Sequence, residues 1–279
     1  MDKFLQVRLF FAASTDNSGS SYEGRMKLRV LGCSGGIGDA RRTTSLALDQ
    51  DILIDAGSGV GNLSLVEMAE IHHIFITHSH LDHIAFIPLL LDSIFDAITT
   101  PIIIYGQAET LAALRVHIFN NVIWPDFSVL PTVDKPVFRY QEMTIGEVIE
   151  LNGRRISMLP VQHTVPAVGY YVESDSGAFA FSGDTSVNDC LWRALNDRQR
   201  LDFIIIEAAF EDKDAQLGKL AKHYTPQVLA KDLKKLHHHP KVYITHNKPG
   251  AEERIAAECR QHIGGYELHF LCGGETIAL

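Results

Sequence analysis

From residue 26 onward the chain sets short apolar runs between turns rich in glycine, proline and asparagine. Residues 27–31, 44–48 and 51–55 predict three consecutive strands in a meander, with "GCSGGIGD" as the glycine turn between the first two. Residues 71–77 predict another strand. Over residues 82–97 the periodicity changes: Ile84, Ile87, Leu91 and Ile94 recur at spacings of three and four, which predicts one amphipathic helix. A strand at 102–105 then precedes a helix at 108–119. The region 137–181 is strand-rich and contains "ISMLPVQHT", "VGYYVES" and "AFAFSGDT". "DFIIIEAAF" reads as a fully buried strand, residues 226–237 as a helix begun by Thr225 and Pro226, and "KVYITHNKPG" as one more strand.

The first 25 residues do not share this pattern. "FLQVRLFFAAS" has the length of a signal h-region but is interrupted by Gln6 and Arg8, and "STDNSGSSYEGR" has the composition of a linker. Residues 1–25 are therefore expected to be a flexible or non-core extension, and residues 26–279 one domain. Cysteine usage points to a reducing cytoplasm, with export by the N-terminal segment left open. Cys33, Cys190, Cys259 and Cys272 lie far apart and form no C-x-x-C pair. The longest apolar run, residues 84–98, carries Asp92 and Asp96 and falls short of the roughly 18 residues of a membrane span. A formal charge of −9 argues against a nucleic-acid polymer as the main partner, because phosphate-backbone binding needs a basic face.

The chemistry is concentrated at the junction between the strand at 71–77 and the helix that follows it. His78-x-His80-x-Asp82-His83 is a motif expected only about 0.002 times by chance in a chain with 14 histidines and 19 aspartates. Imidazole nitrogen and carboxylate oxygen suit Zn²⁺, Mn²⁺ or Fe. His78 and His80, one residue apart in an extended turn, can aim at one ion, while Asp82 and His83 face a second from the first turn of the helix. Three further apolar strands end at metal-capable residues: "LPVQ" leads into His163, "FSG" into Asp184 and "YIT" into His246. Strand ends on a rigid sheet are where distant segments converge.

This order of residues resembles the metallo-β-lactamase fold, and the resemblance covers nearly everything after Met26. It implies an α/β architecture, an αββα sandwich in which two mixed β-sheets pack face to face with helices outside. It also implies that His163 completes the first metal site, that Asp184 bridges both, and that His246 completes the second. "HSHLDH", "HIFNNVIWPDFS", "IEAAF", "KHYTP" and "ITHNKPG" together resemble the class II cyclic nucleotide phosphodiesterases. The usual family form of "KHYTP" is closer to G-H-L-T-P, so Lys222 and Tyr224 are departures. "IEAAF" likewise replaces a form with serine before the phenylalanine.

The resemblance implies hydrolysis of a 3′,5′-cyclic nucleotide, cAMP or cGMP, to its 5′-monophosphate. Two divalent transition-metal ions about 3.5–4 Å apart would activate a bridging water for in-line attack. Asp82 then counts both as ligand and as catalytic residue. His223 is a candidate proton donor to the leaving oxygen or a phosphate-binding group; its alternative is a capping or packing role before the helix at Thr225. Asn121, Trp124 and Phe127 are candidates for stacking on or hydrogen-bonding a purine, with a packed loop as the alternative. Asp55, at a strand end, is expected to hold a ligand histidine from behind.

Other features carry less chemistry. "GCSGGIGD" lacks the ending of a P-loop and the spacing of a dinucleotide fingerprint, so it reads as a turn near the site mouth. His237, His238 and His239 read as a solvated helix end, and His72 and His73 as structural. The 84–98 run and "IFNNVIW" are candidates for a homodimer contact. Competing readings are a cyclic dinucleotide phosphodiesterase, a tRNA 3′-processing nuclease, another metallohydrolase such as a lactonase, thioesterase or lactamase, and a non-catalytic nucleotide or metal sensor.

Overall fold

The structure, a computed structural model, describes residues 25–279. The extension expected at residues 1–25 therefore lies outside the described residues except for Arg25, which is exposed. The strands are β1 (Lys27–Gly32), β2 (Ser45–Leu48), β3 (Ile52–Ile54), β4 (His73–Phe75), β5 (Ile102–Gly106), β6 (Phe138–Glu142), β7 (Val148–Leu151), β8 (Arg154–Pro160), β9 (Val168–Ser174), β10 (Gly177–Phe181), β11 (Phe203–Glu207), β12 (Lys241–Thr245), β13 (Leu268–Phe270) and β14 (Thr276–Ala278). The α-helices are α1 (Leu65–Ala69), α2 (Leu81–Ile84), α3 (Ile87–Ser93), α4 (Ala108–His117), α5 (Cys190–Asn196), α6 (Ala215–Ala221), α7 (Pro226–Leu233) and α8 (Glu252–His262).

One sheet has the order β14-β1-β2-β3-β4-β5-β6 and the other β13-β12-β11-β10-β9-β8-β7. Each is antiparallel over one half and parallel over the other: β3 to β6 run parallel, as do β10 to β13. The expected meander of β1, β2 and β3 is present, each strand antiparallel to the next.

Alternation along the strands builds the layers. In β3, Ile52 and Ile54 face the other sheet, while Leu53 joins the cluster under α3 and α4. In β11, Phe203 and Ile205 enter the space between the sheets, and Ile204 and Ile206 pack under α5, α7 and α8. Strands buried on both faces show no polar alternation, which is why "FIIIE" reads as continuous apolar sequence. Each fully buried aliphatic side chain contributes roughly 2 kcal/mol, so a one-residue slip would misplace a whole row. The result is the αββα sandwich that the sequence resemblance implies.

Two helices differ from the sequence expectation. The helix expected over 82–97 is split into α2 and α3, followed by a 3-10 turn at Phe95–Ala97. Phe86 donates its backbone N–H to Ala56 O (3.0 Å), and Pro88 has no N–H to continue the ladder. α7 ends at Leu233 instead of 237, and its last turn tightens through Lys235 N–H to Asp232 O and Leu236 N–H to Leu233 O. His237 to His239 thus follow a turn. Helices α1, α5, α6 and α8 were not expected from the apolar periodicity.

The two sheets are joined at the edge where the parallel strands end. Val168 N–H bonds to Thr77 O (3.0 Å), and the Tyr170 hydroxyl donates to Ile76 O (2.7 Å). At the opposite edge Arg154, on β8, makes a two-pronged contact with Asp51 (2.6 and 2.7 Å) and a further bond to Asp49 (3.0 Å), beside the β2–β3 turn. Burial pushes Asp51 upward, but the Arg154 guanidinium outweighs it and holds the carboxyl below its usual range. A depressed carboxylate stabilises the fold above its unfolded-state pKa and loses that contribution as pH falls through the folded value. Arg154→Ala is therefore predicted to lower the unfolding free energy by about 3 kcal/mol at neutral pH, because it strands buried carboxylates. Urea denaturation as a function of pH checks this: the gap between wild type and variant should narrow below about pH 4.

Candidate metal centre

Five strand ends deliver the site. β4 ends at Phe75, and Thr77 and His78 follow with no exposed surface. His80 is the N-cap of α2, which places Asp82 and His83 in that helix's first turn. The short helix presses against the segment after β3: Ala56 N–H bonds to His83 O (2.7 Å). Only glycine fits at position 57, because a Cβ there would stand 2.2 Å from Asp82 O. His163 follows β8. Asp184 follows β10 after Gly183, whose φ of +57° turns the chain back toward the site. His246 follows β12 in the left-handed region (φ 62°), held by its N–H bond to Cys33 O (2.8 Å).

These residues converge into two groups that share one carboxylate. His78, His80, His163 and Asp184 form one, and Asp82, His83, Asp184 and His246 the other; within each, one ligand atom per residue lies within 4.8 Å of the rest. All seven ligand candidates named from the sequence are thus brought together. Asp184 Oδ2 is 3.6 Å from His78 Nε2, 3.9 Å from His163 Nε2 and 3.3 Å from His246 Nε2, and its Oδ1 is 3.4 Å from His83 Nε2. Asp82 Oδ2 is 3.7 Å from His246 Nε2 and 3.8 Å from His83 Nε2.

Most of these separations are too long for hydrogen bonds. They match the edges of a coordination shell: ligand atoms 2.0–2.1 Å from one ion at tetrahedral corners lie about 3.3 Å apart. Among the described residues, Nε2 of His78, His83 and His246 is buried and has no hydrogen-bond partner. Three unsatisfied nitrogens in one buried place are costly unless a cation takes their lone pairs. The donor set therefore fits divalent metal ions.

Electrostatics agree with that reading at His78, His163 and His246, while His83 is biased toward its charged form by two carboxylates. Burial holds His78 well below the usual imidazole range and pushes His163 down to about 4 and His246 to about 3, so these rings keep their lone pairs at neutral pH. Burial opposes the charge on Asp184, yet His246 and His83 outweigh it and keep the carboxyl well below its ordinary value. Burial also works against a charged His83, but Asp184 and Asp55 raise it well above the usual range.

A layer behind these groups fixes their rings. Asp55, fully buried and at φ 58°, accepts from His83 Nδ1 (2.7 Å) and from the Thr77 N–H (2.8 Å) and hydroxyl (2.8 Å). The Thr77 hydroxyl in turn lies 3.0 Å from His78 Nδ1. His163 Nδ1 donates to Lys222 O (3.1 Å), and Lys222 Nζ donates back to His163 O (2.7 Å). Lys222 adopts a left-handed conformation (φ 52°, ψ 55°) that glycine accepts at less cost, so this departure from the family form exchanges backbone ease for the side-chain tie from Nζ to His163 O, beside a backbone acceptor that any residue there offers. Tyr224, the other departure, is fully buried and donates its hydroxyl to Asp232 (2.6 Å).

His223 belongs to neither metal group, yet its ring stacks on His246 (centroids 5.4 Å, 16°) and meets His163 edge-on at 4.9 Å. Its Nδ1 bonds to Glu207 Oε1 (2.7 Å). Glu207 ends β11 with no exposed surface and also accepts from the backbone N–H groups of Thr185 (3.0 Å), Ala209 (3.1 Å) and Tyr224 (3.2 Å). Burial alone would lower His223, but the Glu207 carboxylate raises it. Glu207 was missed at sequence level. Its signal was a carboxylate closing an otherwise apolar strand in "FIIIE".

In the loop at 121–127 the correction concerns Phe127. Phe127, expected as a purine-stacking candidate, is 4% exposed and packs on Phe95 (5.3 Å) and Phe119 (6.4 Å), so no ring face is left for a base. Trp124 packs against the same cluster. The Asn121 side-chain Oδ1 accepts from Asp126 N–H (3.1 Å), which closes the turn on itself. Among the described residues, no hydrogen bond or ring contact links these three to the metal-binding groups. The packed-loop alternative describes Phe127, while Trp124 is half-buried, Asn121 is exposed, and Val122 and Ile123 stand at 86% and 62% exposure.

Fold and site together define a metal-dependent hydrolase of the metallo-β-lactamase class. The chain belongs to the family described as "Beta-lactamase superfamily domain", whose profile matches residues 50–246. It is 30% identical over 207 residues to a "Probable 3′,5′-cyclic-nucleotide phosphodiesterase" of Yersinia pestis, covering 66% of this chain and 59% of that protein. It is 33% identical over 155 residues to a "Ribonuclease Z" of Methanococcus maripaludis, covering 52% of this chain and 47% of that protein. The chain thus spans about half to three-fifths of the length of these relatives. The metallo-β-lactamase fold protein YhfI from Bacillus subtilis superposes with a TM-score of 0.72 at 19% identity, covering 92% of this chain and all of that one.

Two substitutions test the layer behind the ligands. Asp55→Asn is predicted to weaken metal retention about 10–100-fold, read by chelator competition, because one of the two oxygens shared by His83 and Thr77 becomes an NH2 donor and the negative charge behind His83 is lost. Lys222→Gly is predicted to hold or raise the thermal midpoint, since the left-handed strain is relieved, while making the His163-containing group easier to strip with chelator.

Proposed function

We propose that the protein is a dinuclear phosphodiesterase that hydrolyses 3′,5′-cyclic nucleotides such as cAMP or cGMP to 5′-monophosphates, with Zn²⁺ as the preferred ion over Mn²⁺ or Fe. The observation that carries this reading is the position of His223: it joins neither metal group, is anchored by Glu207, and lies against His163 and His246. The resemblance of "HSHLDH", "KHYTP" and "ITHNKPG" to class II enzymes and the Yersinia pestis relative support the substrate.

The chain's own residues divide the work. His78, His80 and His163 would hold one ion, Asp82, His83 and His246 the other, with Asp184 common to both groups. Such ions supply Lewis acidity toward a phosphoryl oxygen and lower the pKa of water at neutral pH. Asp55 and Thr77 orient His83 and His78, and Lys222 orients His163. Glu207 fixes the His223 tautomer and favours the protonated ring, leaving Nε2–H to donate to the departing 3′-oxygen. Asp82, with 28% of its side chain exposed, is the metal-group carboxylate nearest solvent and the one placed to steer the attacking water.

The net charge of −9 supports a small-molecule substrate over a polyanionic polymer. Four free thiols support a cytoplasmic setting, and the exposed Val122 and Ile123 support a homodimer contact at that loop.

The substrate is tested by comparing cAMP, cGMP, a cyclic dinucleotide, a 2′,3′-cyclic nucleotide and a precursor tRNA with each of the three metals. Highest kcat/KM for a 3′,5′-cyclic mononucleotide is expected; preference for the precursor tRNA would replace this reading with the ribonuclease Z one. His223→Ala is predicted to cut kcat on cAMP about 10²–10³-fold. The loss should be at least about tenfold smaller on methyl 4-nitrophenyl phosphate, whose leaving group needs no proton.

A further inference from the structure

A cavity of about 540 Å³ opens beside His223, between α6, α7 and the loops that follow β8 and β10. Its walls are chain neighbours of the metal-binding residues. Gln162 precedes His163, Ser186 and Val187 follow Asp184 by two and three positions, and Ala215 and Val228 come from the two helices on either side of His223. The loops are tied into one wall: Ser186 N–H bonds to Gln162 O (3.0 Å), and Gln162 N–H to the Thr185 hydroxyl (3.2 Å). Thr185 is itself fixed by Glu207, the residue that anchors His223. The cavity is therefore rigidly referenced to the proposed proton donor.

Resting on the phosphodiesterase reading above, we propose that this cavity, and not the 121–127 loop, receives the nucleobase of a cyclic mononucleotide. In a 3′,5′-cyclic nucleotide the phosphate ring is fused to the ribose, so the sugar and base move as one stiff body with the leaving 3′-oxygen. Placing that oxygen at His223 carries the attached base against the segments around His223, and the cavity is lined by those segments together with His223 itself. The lining suits a flat ring with apolar faces: Val187, Ala215 and Val228 supply apolar wall, and Gln162 and Ser186 bring side chains able to hydrogen-bond its edge. A polyanion leaving by this route would meet few cations. Lys219 stands at the cavity, but Lys222 Nζ is already donated to His163 O.

The test is to narrow the cavity from exposed wall positions, with Ala215→Trp and Val187→Trp made separately so that a folding defect in one leaves the other. Each variant is compared with wild type for thermal midpoint, for metal content, and for KM on cAMP and on methyl 4-nitrophenyl phosphate, a diester without a base. The proposal predicts that the KM ratio of cAMP to the small diester rises at least about tenfold in each folded, metal-loaded variant. A ratio within about twofold of wild type in both variants overturns the base site alone. No turnover of any cyclic mononucleotide by wild type overturns the phosphodiesterase reading and takes the base site with it.

Discussion

Everything at the reactive edge of this protein depends on one buried carboxylate. Asp184 has almost no exposed surface, and four imidazole nitrogens on three loops and the first turn of a short helix stand 3.3 to 3.9 Å from its two oxygens. A carboxylate removed from water costs several kcal/mol unless a counter-charge is close. His78, His163 and His246 are held neutral by burial and supply lone pairs rather than positive charge, so cations placed between the carboxylate and these rings satisfy both. Two such positions follow because Asp184 is common to both groups.

The fold supplies the rigidity that this requires. Strands β3, β4, β8, β10, β11 and β12 end at the same edge, and the sheets are joined there by Val168 to Thr77 and Tyr170 to Ile76. Two further carboxylates are fully buried behind the rings. Asp55 acts on His83 and on Thr77, whereas Glu207 acts on His223, the histidine that holds no place in either metal group. The same arrangement of strand end, carboxylate and imidazole thus serves metal holding on one side and proton placement on the other. A left-handed backbone at Asp55, His246 and Lys222 is tolerated where it aims these contacts.

Legibility in the sequence followed physical range. The motif His78 to His83 was readable because its residues act within six positions of one another, and His163, Asp184 and His246 because each closes an apolar strand. The two-sheet architecture came from the family resemblance that these residues carry, and the wholly apolar run of β11 showed only a strand buried on both faces. Glu207 was not, since its partner His223 is 16 positions away in sequence and the bond forms only after β11 meets the α6–α7 turn. Phe127 misled for the opposite reason: an aromatic in a polar loop looks available, and only the packing of Phe95 and Phe119 shows that it is spent on the core. Helix α8 carries a narrow stripe, with only Ile255 and Cys259 buried, which periodicity does not distinguish from a charged loop.

The central claim, that one carboxylate supports two metal sites, is tested most directly by metal content per chain measured by mass spectrometry after gel filtration. The account predicts about two ions in wild type, about one in His163→Ala, and fewer than one in a folded Asp184→Ala, because that substitution damages both groups. Full retention of one ion by Asp184→Ala, or the same content in both variants, would contradict it.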